Sequence, residues 1–314
     1  MKKKEYLYRI CNICISLEIE LKNLSCYEIY SSEKIDSYIK IKKLNTILVD
    51  GDLKKIESGY IEHGVSPVAC FDEKKTIINF KDIGYVIIPD KPYEVIIYIN
   101  PLKEQSIIED ILVNDIIPLI LVKNGYLVLH AGCVSIDTKN ILILGQSGAG
   151  KSTFIGKLFS LGHEFISDDI VVINTDNFYC LAEGYLQHIS LWEKSSEYLK
   201  LENKYEKNKL KNNKRNYIIQ NRSKIIKEIN KIILLNRNKS QDTKIIKETK
   251  MFFYIMLLKS VIMGYALNET EWLIVQNKIR KIIDNNDLEI YNYPNDFKCF
   301  DNVVKEFIKI MQTE

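Results

Sequence analysis

Gly145-Gln146-Ser147-Gly148-Ala149-Gly150-Lys151-Ser152, followed by Thr153, decides how the rest of the chain is read. The octet fits the pattern Gly-x-x-x-x-Gly-Lys-(Ser/Thr) in full. An unbroken apolar run, Ile141-Leu142-Ile143-Leu144, precedes it, and residues 151–161 carry helical spacing up to Gly162. Strand, glycine loop and helix in that order form the setting in which such an octet wraps a polyphosphate. Each residue type has a physical task. Gly145, Gly148 and Gly150 let the backbone turn its N–H groups inward, with Ser147, Ala149 and Thr153 in the same cradle, and the helix start adds partial positive charge. Lys151 brings a cation to the β- and γ-phosphates of a nucleotide, and Ser152 offers a hydroxyl to magnesium.

A phosphate loop does not name a reaction, so its surroundings must. A transport-type ATPase needs a downstream Leu-Ser-Gly-Gly-Gln and an apolar strand ending in Asp-Glu, and neither occurs. A small GTPase needs Asn-Lys-x-Asp to read guanine. Asn238-Lys239-Ser240-Gln241 has Gln where that Asp belongs. Downstream of the loop stands instead a pair of adjacent acids, Asp168-Asp169, fifteen residues beyond Thr153. That interval holds one helix and one short strand, so the strand is expected near the loop strand, with both carboxylates at its end. Carboxylates suit magnesium as hard oxygen ligands and suit a hydroxyl substrate as proton acceptors.

Leu129-His130-Ala131-Gly132, the run 141–144 with the loop, and Leu161-Gly162-His163-Glu164-Phe165-Ile166-Ser167-Asp168-Asp169 together resemble HPr kinase/phosphorylase, a family related to the phosphoenolpyruvate carboxykinases. The resemblance covers roughly residues 125–175. Gly184-Tyr185-Leu186-Gln187-His188-Ile189-Ser190-Leu191-Trp192 is similar to a stretch in HPr-kinase-like proteins of peptide-modification clusters, the lasso-peptide precursor kinases among them, with Leu186 where they have Pro. The Glu-x-Arg-Gly motif of the regulatory HPr kinases is absent. The resemblance implies an α/β P-loop kinase core with a β-rich N-terminal subdomain over 1–103, a catalytic domain over 104–314 and a helical C-terminal part. It implies ATP and Mg2+ as cofactors, Lys151 and the loop amides on the phosphates, and Ser152 with Asp169 on the metal. It makes Asp168 the general base for a substrate hydroxyl and places His130 beside the transferred phosphate. Glu183 is a candidate for a further metal carboxylate, and Lys214 or Arg215 for a γ-phosphate contact. The expected reaction is phosphoryl transfer to a hydroxyl, serine first, on a peptide or small protein. A small-metabolite hydroxyl kinase and a slowly hydrolysing nucleotide switch remain the alternatives. Family members form hexamers, so self-association is left open.

Outward from the core, residues 6–99 read as short β runs, at 46–49, 76–80, 85–88 and 93–99, with breaks at 50–52, 89–92 and 100–101. Residues 104–122 have helical spacing, with Pro118 expected to bend or shorten the helix and Gly125 to cap it. Strands are expected at 126–136, 163–166, 170–173 and 228–235. Helices are expected over 250–266, 269–283 and 297–311. A Lys/Asn-rich insertion, about 200–224, reads as a solvated segment. Cys11-Asn12-Ile13-Cys14 lacks a second ligand pair and reads as two strand cysteines, and His63 and His188 as structural.

The chain has 314 residues, 46% hydrophobic, and a net charge of +3, which is too even to favour nucleic acid or an anionic membrane as a partner. No apolar run reaches membrane-spanning length, and no apolar signal region comes after the basic start. Seven scattered cysteines do not suggest a disulfide framework, and a cytoplasmic location is expected.

Overall fold

Strict alternation in the N-terminal third produces, in a computed structural model of the chain, a nine-stranded sheet. The structure describes residues 4–31, 34–43, 54–57, 68–72, 74–175, 180–186, 188–201, 205–207, 214–219, 226–238 and 243–313. The expected run at 46–49, its break at 50–52 and His63 lie outside them. In Glu94–Ile99 every second side chain (Val95, Ile97 and Ile99) is buried, and Lys75–Phe80 repeats the pattern with Thr76, Ile78 and Phe80. A period of two with one buried face is what a half-covered sheet requires. Tyr6–Ile10 and Ile13–Leu17 pair as a hairpin with Ile10 opposite Ile13. Cys11 therefore sits in the two-residue turn, at φ +55°, and only Cys14 is a strand cysteine. Both are buried, and neither is in a disulfide.

The helix expected over 104–122 forms as Gln105–Ile111 and Ile117–Lys123 with a wide π turn, Leu112–Ile116, between them. Pro118 accounts for the interruption. It has no N–H to donate, and its ring would press on a carbonyl one turn earlier, so the ladder loosens just before it. Gly125, at φ +90°, ends the second segment as expected.

Two compact units divide the chain, with the first running to Tyr126 and including Ile262–Ile274, and the second starting at Leu127. The first unit includes the interrupted helix. Lys123 near its end is buried and bonds Glu271 within that unit.

The second unit is a mixed α/β fold. Its six-stranded sheet runs in the order Glu164–Ser167, Gly132–Ile136, Lys139–Leu144, Lys231–Asn238, Asp287–Pro294, Lys244–Lys247. Lys139–Leu144, Lys231–Asn238 and Asp287–Pro294 are mutually parallel, and the other pairings are antiparallel. A four-stranded sheet holds Leu127–Leu129, Val171–Asn174, Leu181–Gly184 and Ile226–Glu228, and a three-stranded one holds His188–Trp192, Lys214–Ile218 and Tyr205–Lys207. The strand expected over 126–136 is thus two strands in two sheets. The one expected over 228–235 is likewise split. Within the Lys/Asn-rich insertion Tyr205–Lys207 and Lys214–Ile218 are strands rather than loop, and Lys214–Ile218 pairs along the whole of His188–Trp192. Among the described residues no helix is long and apolar enough to cross a membrane.

The helix after the glycine loop, Lys151–Ser160, buries Phe154, Ile155 and Leu158 on the six-stranded sheet. Phe154 meets Phe307 edge-on at 5.0 Å and Phe300 at 6.0 Å, both on the C-terminal helix Phe300–Thr313. This ring fixes the loop's downstream anchor. Phe154→Ala is expected to cost about 3–5 kcal/mol in chemical denaturation, as large-to-small changes in close-packed cores do. A loss below about 1 kcal/mol would contradict this packing.

Candidate active site

The loop strand Lys139–Leu144 ends opposite Leu234 of its parallel neighbour, which runs on to Asn238 beside the departing glycine loop. A Cβ at Gly145 would lie 3.2 Å from the Leu235 carbonyl oxygen. Gly148 (φ +80°) and Gly150 (φ +87°) occupy the left-handed region. At Gly150 a Cβ would also overlap the Arg237 guanidinium and come within 2.8 Å of the Tyr293 hydroxyl. The helix then begins at Lys151 with no side-chain cap. Its first-turn amides, Thr153's included, are the groups a helix leaves for an anion. The Thr153 hydroxyl is instead turned to the Ser195 hydroxyl, at 2.8 Å. Lys151 is buried and donates from Nζ to the Gly145 carbonyl at 2.9 Å. Burial lowers its pKa, against the opposing pull of Asp169 and Asp168.

Strand register carries the acid pair to this loop. Cys133 pairs with Ser167 in one sheet and Leu129 with Val171 in the other. The two ladders therefore bracket residues 130–132 against 168–170, where the chain crosses between sheets. His130 lies in that crossing, exposed, with its backbone N–H donating to the Ser260 carbonyl at 2.6 Å. The acid strand Glu164–Ser167 lies in the sheet of the loop strand, one strand away, because Gly132–Ile136 forms a hairpin with the loop strand and lies between them.

Asp168 is buried. Its Oδ1 accepts from the Ser152 hydroxyl at 3.1 Å and its Oδ2 from the Ser190 N–H at 3.2 Å. Burial, helped by the neighbouring Asp169 charge, pushes the Asp168 carboxyl up to about 7, while Lys214 and the two hydrogen bonds oppose the rise. Asp169 stands at φ +64°, so its carboxylate leaves in another direction and meets Lys214 Nζ at 3.7 Å. The two acids are thus differentiated, one buried on the loop serine and one beside a lysine.

Of the two residues expected on the metal, Ser152 donates its hydroxyl to Asp168 and Asp169 meets Lys214. Glu183 is buried on Leu181–Gly184, and among the described residues no three His, Cys, Asp or Glu side chains are grouped to hold a metal. A hydroxyl and a carboxylate beside a phosphate loop still suit magnesium, which takes few protein ligands and completes its shell from phosphate oxygens and water. Lys214 reaches the acids, whereas Arg215 is engaged by Glu193 at 2.9 Å.

Three contributors lack a local signal in the sequence. Ser190 supplies its backbone amide to Asp168, and Arg237 and Tyr293 flank Gly150 from two strands that come more than eighty residues after the loop. Of these, only the stretch around Ser190 is marked out by resemblance.

No family model matches the chain, and no curated protein matches it. Among solved structures, the Hpr(Ser) kinase/phosphatase from Coxiella burnetii is similar over 59% of this chain and 98% of its own, at 13% identity and a TM-score of 0.28, a likeness too slight to build on.

Proposed function

We propose that this chain is an ATP- and Mg2+-dependent kinase of the HPr-kinase-like type that transfers the γ-phosphoryl group to a hydroxyl, serine first, on a peptide or small protein. The observation that carries the reading is the Ser152–Asp168 hydrogen bond, because it joins the complete phosphate loop to a buried carboxyl titrating near neutrality. A general base works best when its pKa lies near the operating pH. Asp168 fits that role and takes the proton of the incoming hydroxyl. Its contact with Ser152 sets the base next to the metal position, where the attacking oxygen must approach. Ser152 and Asp169 would hold magnesium, which when bound neutralises charge on the transferred group. Lys151 supplies a fixed cation, and the loop amides orient the phosphates. His130, in the crossing opposite the acids, is assigned to the mouth of the site. Positioning and electrostatics of this kind provide most of the rate in phosphoryl transfer.

The test is incubation with ATP, magnesium and peptides encoded by neighbouring reading frames, then intact mass. One peptide gaining one phosphate is expected. If no peptide gains mass while ATP is consumed, the acceptor is not a peptide and this reading is overturned in favour of a metabolite kinase or a hydrolytic switch.

A further inference from the structure

The transfer machinery proposed above is the chain Ser152, Asp168, Asp169, Lys214. Another charged group touches the loop and belongs to none of it. Arg237 stands near the end of Lys231–Asn238, and Nη2 of its guanidinium is the nearest atom to a Cβ placed on Gly150, the residue at the helix N-cap.

Neutral groups pin that guanidinium. Its Cζ lies 5.9 Å from the Tyr293 ring centroid, and Nη1 donates to Asn295 Oδ1 at 3.1 Å. The Tyr293 hydroxyl in turn donates to the Ala149 carbonyl, one residue before Gly150. Tyr293 itself is 1% exposed and is fixed in the core beside Phe154. Among the described residues no carboxylate pairs with Arg237. Other cations of this unit do have one, Lys157 with Asp301 and Lys231 with Glu289 among them.

A planar, permanently charged fork is held against a phosphate loop by neutral contacts with no carboxylate among the described residues, and a guanidinium matches phosphate oxygens in geometry as well as charge. We infer that Arg237, aligned by Tyr293 and Asn295, is a second phosphate-binding cation of the loop and takes the part of a nucleoside polyphosphate that is not transferred. Its contacts are at Gly150, Tyr293 and Asn295 and do not include Ser152 or Asp168, which assigns it to phosphates that ADP and ATP share. The assignment rests on the phosphate-loop reading above.

Calorimetric titration of ADP and of ATP, each with magnesium, into wild type, Arg237→Ala and Arg237→Lys tests it. Arg237→Ala is expected to weaken both nucleotides by a similar factor, about tenfold or more, the scale of a charge-assisted hydrogen bond. Arg237→Lys should recover only part of the loss, since a point charge cannot reproduce the fork. Thermal melts of the apo variants check that the loop unit still folds. Unchanged affinities in Arg237→Lys and Arg237→Ala overturn the inference, as does a loss confined to ATP, which would put Arg237 on the transferred phosphate. A wild type that binds neither nucleotide overturns the phosphate-loop reading and this inference with it.

Discussion

Asp168→Asn is expected to lower phosphoryl transfer by about 10^2–10^4-fold, the usual worth of a positioned general base, while nucleotide affinity stays within a few-fold. The amide can still accept the Ser152 hydrogen bond but cannot take a proton. In the wild type, kcat/KM for the acceptor should rise with pH through a limb near 7, because only the ionised carboxylate works and burial has lifted its pKa to about 7. The variant should lack that limb. A folding signature runs the other way. The folded-state pKa is raised from 3.8, so the stability associated with protonated Asp168 is fully present below about pH 4 and is lost as pH rises through about 7. At roughly 1.4 kcal/mol per pH unit the loss amounts to at most about 4 kcal/mol. Apo wild type should therefore melt lower at pH 8 than at pH 5, and Asp168→Asn should show a smaller drop. Substantial transfer by the variant would remove Asp168 from the base role. A collapse of magnesium–nucleotide affinity would move it to the metal.

Lys151→Met is expected to weaken ATP binding by about 10- to 100-fold, the loss of one charge-assisted contact to phosphate, and to slow transfer further because the cation also faces developing charge. The apo protein should not lose stability in step. Burial lowers the Lys151 pKa, so the ammonium is held at a cost in the empty fold, and methionine keeps most of the stem's volume. Calorimetric titration and a thermal melt on one preparation measure both quantities. ATP affinity equal to wild type would mean that Lys151, whose Nζ rests on the Gly145 carbonyl, is a loop brace rather than a phosphate ligand.

The parts of the site that are legible in the sequence are those whose geometry is local. A strand of four apolar residues, a glycine loop and an amphipathic helix specify one another within about twenty residues, and Asp168-Asp169 comes after one helix and one strand. Pro118 announces a disturbed helix, although not that a π turn absorbs it. Pairings across long intervals are not legible. Lys231–Asn238 joins the loop strand, and Asp287–Pro294 joins Lys231–Asn238, only through parallel pairing, which has no short-range sequence signal, so Arg237 and Tyr293 are invisible as neighbours of Gly150. The orientation of the two acids is hidden for a related reason. It depends on the left-handed backbone at Asp169 and on an amide from His188–Trp192, and neither is encoded next to the pair. An apolar run over 126–136 suggests one continuous strand, because nothing in it marks the crossing at 130–132, where the chain leaves one sheet for another.

Phosphorus NMR of the wild type with ATP, magnesium and a pool of candidate peptides tracks where the γ-phosphoryl group goes. The account predicts that the γ-resonance of ATP decays as ADP and a phosphomonoester signal grow together, with the ester co-eluting with a peptide and absent from Asp168→Asn. ATP loss matched only by inorganic phosphate, at the same rate with and without acceptor, would contradict it.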